Sequence, residues 1–302
     1  MQTTRDFSQT IISVYGEAGV AWLKALPELR RACEERWDMR IGPPFALSYN
    51  YVAPVTLAGG TEAVIKLGPG IAELAHEINA LRHFDGRGIV RLLDADPARG
   101  VMLLERASPG TPLAELGDDE SMTDAAADVM LQLWRPPPSA HSFTTVEDLA
   151  AGLRKLRNLF GGGTGPLPAD LVEAAESHFR DLLLSTTDPV LLHGDLHHWN
   201  IVRAGRQPWL AIDPKGVVGE RGYEAGAFLR NHLLHLPDPK RALAPRVDQL
   251  SERLELDREW LIAWGIAHNM LSAWWSVEDH GSGWEAAVSV AQMLKDLERS
   301  SR

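Results

Sequence analysis

Apolar and polar positions change their rhythm along the chain. Through residues 7–37 apolar residues recur at helical spacing in a Glu- and Arg-rich background, with breaks near Gly16 and Pro27. That pattern predicts solvated helices with one apolar face. Gly42-Pro43-Pro44 stops it. Beyond Phe45 the texture is that of strands. Ala46-Leu47-Ser48-Tyr49, Tyr51 to Leu57 and Ala63 to Leu67 read as three, with a hairpin turn at Gly59-Gly60 between the last two. Pro54 inside the second implies an edge strand or a bulge. A helix over 71–84 follows, with Leu74, Ile78 and Leu81 at three- and four-residue spacing, ended by Gly86 and Gly88. Ile89 to Leu93 and Val101 to Glu105 then read as strands around a turn at Asp96-Pro97.

After Ser108-Pro109-Gly110 strands nearly vanish. Residues 123–134, 146–160 and 170–185 have helical patterning, separated by loops at Pro136-Pro137-Pro138 and Gly161-Gly162-Gly163. A short β-rich insert covers Val190 to Asp213, and the remainder from Tyr223 to Leu297 is helical and rich in tryptophan. The expected class is α+β. An N-terminal lobe over 1–107 would comprise a helical extension (1–42) and a β-rich part (43–107). A helical C-terminal lobe would cover 108–302.

Composition narrows the function. Hydrophobic residues make up 45% and charged residues 24%, which is ordinary for a globular protein. The formal net charge of −11 disfavours nucleic acid as a partner. It suits a cationic small-molecule acceptor, or simply solubility. The single cysteine, Cys33, allows no internal disulfide and fits a reducing compartment. The first residues hold no secretory apolar core. The greasiest stretch, Leu261 to Trp275, is interrupted by His268 and Asn269 and is too short to span a bilayer. The expectation is a cytoplasmic protein with no membrane partner, a monomer or weak homodimer.

The sharpest signal is Val190-Leu191-Leu192-His193-Gly194-Asp195-Leu196-His197-His198-Trp199-Asn200-Ile201-Val202. An apolar strand enters a polar loop and leaves as another apolar strand. Asp195 and Asn200 are five apart, and Trp209-Leu210-Ala211-Ile212 leads into Asp213. Phosphoryl transfer from ATP needs such a set: one carboxylate to orient the attacking hydroxyl, and an amide and second carboxylate to hold Mg2+, a hard cation that prefers oxygen. The spacing is that of a kinase catalytic loop, with His193-Gly194 where protein kinases carry His-Arg. A zinc site built on His193, His197 and His198 would lack a cysteine or a clear fourth ligand. Upstream, Lys66 closes the apolar run Ala63-Val64-Ile65, and Glu73 and Glu77 share one helix face.

His193-Gly194-Asp195 with Asn200, followed by a strand and Asp213, resembles the aminoglycoside phosphotransferase and choline-kinase-like superfamily. Leu196-His197-His198 and Asp213-Pro214-Lys215-Gly216 resemble a narrower group, the streptomycin 6-phosphotransferase and hydroxyurea-resistance kinases. Leu81-Arg82, Val90-Arg91-Leu92-Leu93-Asp94 and Leu103-Leu104-Glu105-Arg106 resemble the same group. The likeness runs from about Tyr51 to Asn231. It implies a two-lobed, protein-kinase-like fold and ATP-dependent phosphorylation of a small hydroxylated acceptor, an aminoglycoside such as streptomycin. A sugar, amino alcohol or hydroxyurea-like acceptor is the alternative, and a nucleotide-binding pseudokinase a further one.

The resemblance also implies roles. Asp195 would accept the hydroxyl proton, Asn200 and Asp213 would ligate magnesium, and His193 would brace the loop. Lys66 would reach the α- and β-phosphates and pair with Glu77. No Gly-x-Gly-x-x-Gly precedes Lys66; Ser48 and Asn50 stand where a phosphate loop belongs. Backbone groups around Glu105, Arg106 and Ala107 would meet the adenine, with GTP left open. Lys215 would contact the transferring phosphate, or be a solvated turn lysine. Acceptor candidates are Glu220, Glu224, Glu278 and Asp279, with Glu224 favoured. Arg230 and His198 join them, one of His197 and His198 facing the acceptor and the other the core. Trp260, Trp264, Trp274, Trp275 and Trp284 read as core packing rather than a stacking surface.

Overall fold

In a computed structural model describing residues 2–300, the chain divides into two compact units, one ending at Gly110 and the other starting at Thr111. The first unit holds a five-stranded antiparallel sheet. Its strands are β1 (Met39–Ile41), β2 (Tyr51–Leu57), β3 (Glu62–Leu67), β4 (Leu92–Asp96) and β5 (Val101–Glu105), in the order β1-β2-β3-β5-β4. The helical run α1 (Gln2–Trp37) precedes it and α2 (Ile71–Phe84) lies between β3 and β4. Alternate residues of β2 and β3 (Tyr51, Ala53, Val55; Ala63, Ile65, Leu67) enter a core shared with Phe7, Ile11 and Cys33 of α1. This is a half-buried antiparallel sheet with an inward period of two.

Several expected elements change. The helical run breaks only at Gly16, whose φ is +55°, while Pro27 lies within helix. No strand forms over 46–49; Ser48 and Tyr49 are exposed in a bend, and the strand that pairs with β2 is the earlier β1. Pro54 does not mark an edge, because β2 has partners on both sides. β1 stops at the pair Ile41↔Val55, so the missing N–H of Pro54 falls just past the end of that ladder. The strand expected at Ile89 starts instead at Leu92, with a register irregularity between Leu92 and Asp94.

The second unit is helical around small β pieces. Its helices are α3 (Asp119–Leu133), α4 (Val146–Leu159), α5 (Ala169–Ser185), α6 (Arg221–Arg230), α7 (Pro239–Leu254), α8 (Arg258–His280) and α9 (Glu285–Ser300). β6 (Thr144–Thr145), β10 (Val217–Gly219) and β7 (Val190–Leu192) form one sheet in that order. β8 (Ile201–Arg203) and β9 (Trp209–Ala211) form a hairpin. The short β6 and β10 carry too few residues to show a pattern in the sequence.

Helix α8 is the central column: Trp264 and Trp274 are fully buried among α4, α5 and α9, whereas Trp260 is 39% exposed. Helix α6 packs closely on α8 because two of its residues lack side chains. A Cβ at Gly222 would strike Trp264, and one at Gly226 would strike His268. Arg246 of α7 is buried, pairs with Asp119, and donates to the carbonyls of Phe228, Leu229 and Asn231 at 3.3 Å. Those are the orphan carbonyls at the end of α6, where a cation is favourable. No helix among the described residues is long and apolar enough to cross a membrane.

Candidate active site

In the first unit, Lys66 sits on β3 between Val52 and Met102 of its neighbours. Its ammonium meets both carboxylate oxygens of Glu77 on α2, at 2.8 and 2.7 Å. Both residues are buried, 4% and 6% exposed. The same α2 face carries Leu74, Ile78 and Leu81 into the core, so the helix register that packs the apolar stripe also delivers Glu77. Asn50 packs on Gly68, where a Cβ would collide with its amide. Ser48 is exposed. At the end of β5, Glu105 exchanges contacts with Arg91, accepting from its backbone N–H at 2.9 Å and donating its own to the Arg91 carbonyl at 2.8 Å. The Arg106 guanidinium is occupied by Glu62 at 2.7 Å, and Ala107 is half-buried.

In the second unit, the loop 193–200 connects β7 to β8. His193 ties it down from three directions. Its Nε2 lies 2.8 Å from the Ile212 carbonyl, and its Nδ1 accepts the Asp195 N–H at 3.3 Å. Its own carbonyl accepts the N–H groups of Lys215 and Gly216 at 2.7 and 3.1 Å. Burial pushes its pKa down to about 3, so the ring is neutral and serves as donor and acceptor at once. Gly194 has φ +85°, and a Cβ there would lie 2.6 Å from Val217 Cγ2. Only glycine fits that position.

Asp195 and Asn200 share the outer side of this loop. Asn200 donates through Nδ2 to the Asp195 carbonyl at 3.0 Å, leaving Oδ1 as its free acceptor. The Asn200 carbonyl accepts the Ile212 N–H at 2.9 Å, which ties this turn to the residue before Asp213. Asp213 has φ +66°, an uncommon conformation for a non-glycine residue, and its Oδ2 lies 3.4 Å from Lys215 Nζ. Burial raises the Asp195 pKa above the ordinary carboxylate range, opposed by the charges of His197, Lys215 and Arg230 and reinforced by Asp213. Burial also lowers His197, whose Nε2 is 3.8 Å from Asp195 Oδ1.

The acceptor candidates separate. Glu224 does not face an acceptor: it is 2% exposed, and its oxygens accept the backbone N–H groups of His193 at 2.6 Å and Gly194 at 3.0 Å. Burial raises its pKa to about 7 against those hydrogen bonds. The sequence signal for this role is a glutamate amid the otherwise apolar Tyr223, Ala225, Ala227 and Phe228. Glu220 is the N-cap of α6, accepting the Gly222 N–H at 2.9 Å. His198 is fully buried and stacks on Phe228 with centroids 4.1 Å apart, which removes it from any acceptor surface. Arg230, at the end of α6, lowers the Asp195 pKa by its charge. Glu278 and Asp279 are exposed at the end of α8.

Oxygen donors of this kind suit magnesium, which needs only one or two protein ligands beside water and phosphate oxygens. Among the described residues no group of three or more His, Cys, Asp or Glu is placed to hold a metal ion. A closed zinc site on the three loop histidines is therefore not formed.

Comparison with known proteins adds a family. The sequence pattern of the family described as aminoglycoside/hydroxyurea antibiotic resistance kinase matches residues 36–280. A streptomycin 6-kinase of Streptomyces glaucescens is 32% identical over 93% of each chain. A hydroxyurea phosphotransferase of Kitasatospora aureofaciens is 34% identical over 92% of this chain and 82% of its own. In fold, the chain is similar to a thermostable mutant of aminoglycoside phosphotransferase APH(4)-Ia in ternary complex with ADP and hygromycin B. There the TM-score is 0.64 at 14% identity, over 90% of this chain and 98% of the other.

Proposed function

Because the chain belongs to the aminoglycoside/hydroxyurea antibiotic resistance kinase family, we propose that it transfers the γ-phosphoryl group of ATP to a hydroxyl of a streptomycin-like aminoglycoside. It is a phosphotransferase acting on hydroxyl groups, with the kinase-like fold. The observation that carries the reading is the loop 193–200. A half-exposed Asp195 follows a neutral His193, whose backbone N–H is held by a buried Glu224; Asn200 is hydrogen-bonded into the same turn, and its carbonyl accepts from Ile212, the residue before Asp213.

In this reading the Asp195 carboxylate accepts a hydrogen bond from the acceptor hydroxyl and aims its oxygen at the γ-phosphorus. As the new P–O bond forms, the bond to the ADP leaving oxygen breaks, and the hydroxyl proton passes to Asp195 late. Asn200 Oδ1 and the Asp213 carboxylate would hold magnesium, which would supply positive charge to offset that of the phosphates. Lys66, fixed by Glu77, serves the α- and β-phosphates, and Lys215 the charge developing on the transferred group. Adenine recognition rests on backbone groups of 105–107, and Ser48 and Asn50 stand in for a glycine-rich phosphate loop.

One observation favours a second acceptor. Both oxygens of Glu224 are taken by backbone N–H groups, and Glu220, the N-cap of α6, has one oxygen on the Gly222 N–H. A small neutral acceptor of the hydroxyurea kind needs no carboxylate. The test is turnover with MgATP or MgGTP against streptomycin, other aminoglycosides, hydroxyurea, choline and simple sugars, read by product mass. One added phosphoryl group on streptomycin supports the first reading, and on hydroxyurea alone the second. Transfer that persists in Asp195→Asn refutes the role of that carboxylate.

A further inference from the structure

Seven of the eight residues of loop 193–200 are buried or half-buried; the exception is Trp199, 53% exposed. Exposing an indole is unfavourable, because tryptophan carries a large apolar surface. The backbone offers no freedom to hide it. The Trp199 N–H donates to His197 Nδ1 at 3.2 Å, the Asn200 N–H closes a turn on the His197 carbonyl at 2.8 Å, and the His198 carbonyl accepts from Ala114 at 3.1 Å. The buried His198 ring, stacked on Phe228, faces the core, so its sequence neighbour is turned outward. Among the described residues no aromatic or cationic side chain stacks on the Trp199 indole. The outer edge of the loop is therefore Asp195, Trp199 and Asn200.

We propose that Trp199 is a specificity-determining residue, whose exposed indole face binds a guanidinium or ammonium group of the acceptor while Asp195 engages its hydroxyl. This rests on the phosphotransferase reading above and names what recognises the acceptor's charge. Glu224 has both oxygens on backbone N–H groups and Glu220 caps α6 through one, and the charged side chains near Asp195 include the cations Lys215 and Arg230. An aromatic face attracts a cation by its quadrupole without bringing a further carboxylate, beyond Asp213, beside Asp195. In sequence Trp199 stands between Asp195 and Asn200, the residues proposed to orient the hydroxyl and to hold the metal.

The experiment uses the full chain and compares Trp199→Ala and Trp199→Phe with the unsubstituted enzyme, varying acceptor and MgATP separately. With streptomycin, Trp199→Ala should raise the acceptor KM about tenfold, the scale of one lost cation–π contact. The KM for MgATP should stay within about twofold, and Trp199→Phe should recover most of the loss. With hydroxyurea, which carries no cation, Trp199→Ala should change KM less than twofold. Acceptor KM values that are unchanged, or that rise equally for streptomycin and hydroxyurea, overturn the inference. So does a parallel rise in the KM for MgATP. If the unsubstituted enzyme phosphorylates neither compound, the phosphotransferase reading for these acceptors falls, and this inference with it.

Discussion

Replacing Glu224 with glutamine tests how the catalytic loop is held. The carboxylate accepts the N–H groups of His193 and Gly194, and both of its oxygens are free to accept only when it is ionised. Burial raises its pKa from an ordinary 4.5 to about 7. The folded state therefore binds this proton more tightly than the unfolded state, and the group's contribution to stability falls as pH rises from 4.5 to 7. At about 1.4 kcal/mol for each pH unit, keeping the carboxylate charged above pH 7 costs about 3 kcal/mol. Glutamine avoids that cost; its amide N–H faces a backbone N–H much as the O–H of the protonated acid does, so one backbone N–H goes unanswered in the variant at any pH. The variant should therefore be close to the wild type in stability at pH 4.5 and exceed it by about 3 kcal/mol at pH 8.

Denaturant unfolding of both proteins from pH 4.5 to 8 measures this directly. The stability difference should move by about 3 kcal/mol in favour of Glu224→Gln as pH rises. Turnover should follow the opposite course. Wild-type activity gains as Glu224 ionises near pH 7, and the variant, with one backbone N–H unanswered, should show lower kcat without that limb. A pH-independent stability difference, together with wild-type kcat and pH profile, would refute the assignment.

Lys66→Met should leave Glu77 buried without the ammonium it pairs with, costing about 3–5 kcal/mol in denaturant unfolding, and should weaken ATP binding; wild-type stability would contradict the ion pair's burial. Asp213→Ala should abolish the magnesium dependence of ATP affinity in calorimetry, while a retained dependence would place the metal elsewhere. Gly194→Ala combines a positive φ with a Cβ only 2.6 Å from Val217 Cγ2, and should lower stability by about 1–3 kcal/mol and reduce kcat; unchanged melting and turnover would count against the loop geometry.

The parts of this molecule written locally were readable in the sequence. Lys66 closes an apolar strand and Glu77 lies on the helix that follows, so their pairing needs only strand and helix periodicity. The loop from His193 to Asn200 lies between two apolar runs, and its place between β7 and β8 follows from that pattern. Contacts made across long stretches of chain were not readable. Glu224 looked like a free carboxylate because nothing in Tyr223-Glu224-Ala225 shows that residues 193 and 194 lie against it. His198 looked like a neighbour of the acceptor because its stacking on Phe228 is set by the fold of α6. Arg246 gave no local signal at all, since its partners Asp119 and the α6 carbonyls are remote in sequence. The strand over 46–49 was expected where the chain bends, because three residues, Met39 to Ile41, suffice to pair with β2 and are too few to announce themselves.

The close approach of α6 to α8 at Gly222 and Gly226 has a consequence for how this protein tolerates change. The loop 193–200 hangs from Glu224, and Glu224 occupies the helical stretch between those two glycines. The separation of two helix axes thus works as a ruler for a loop that neither helix contains. A bulkier residue at either glycine, or a reshaped ring at Trp264 or His268, would lift the carboxylate from its two N–H groups without touching Asp195, Asn200 or Asp213. In a library of random variants, inactive but folded clones should therefore line this seam as well as the loop, and reversions should map to the facing helix.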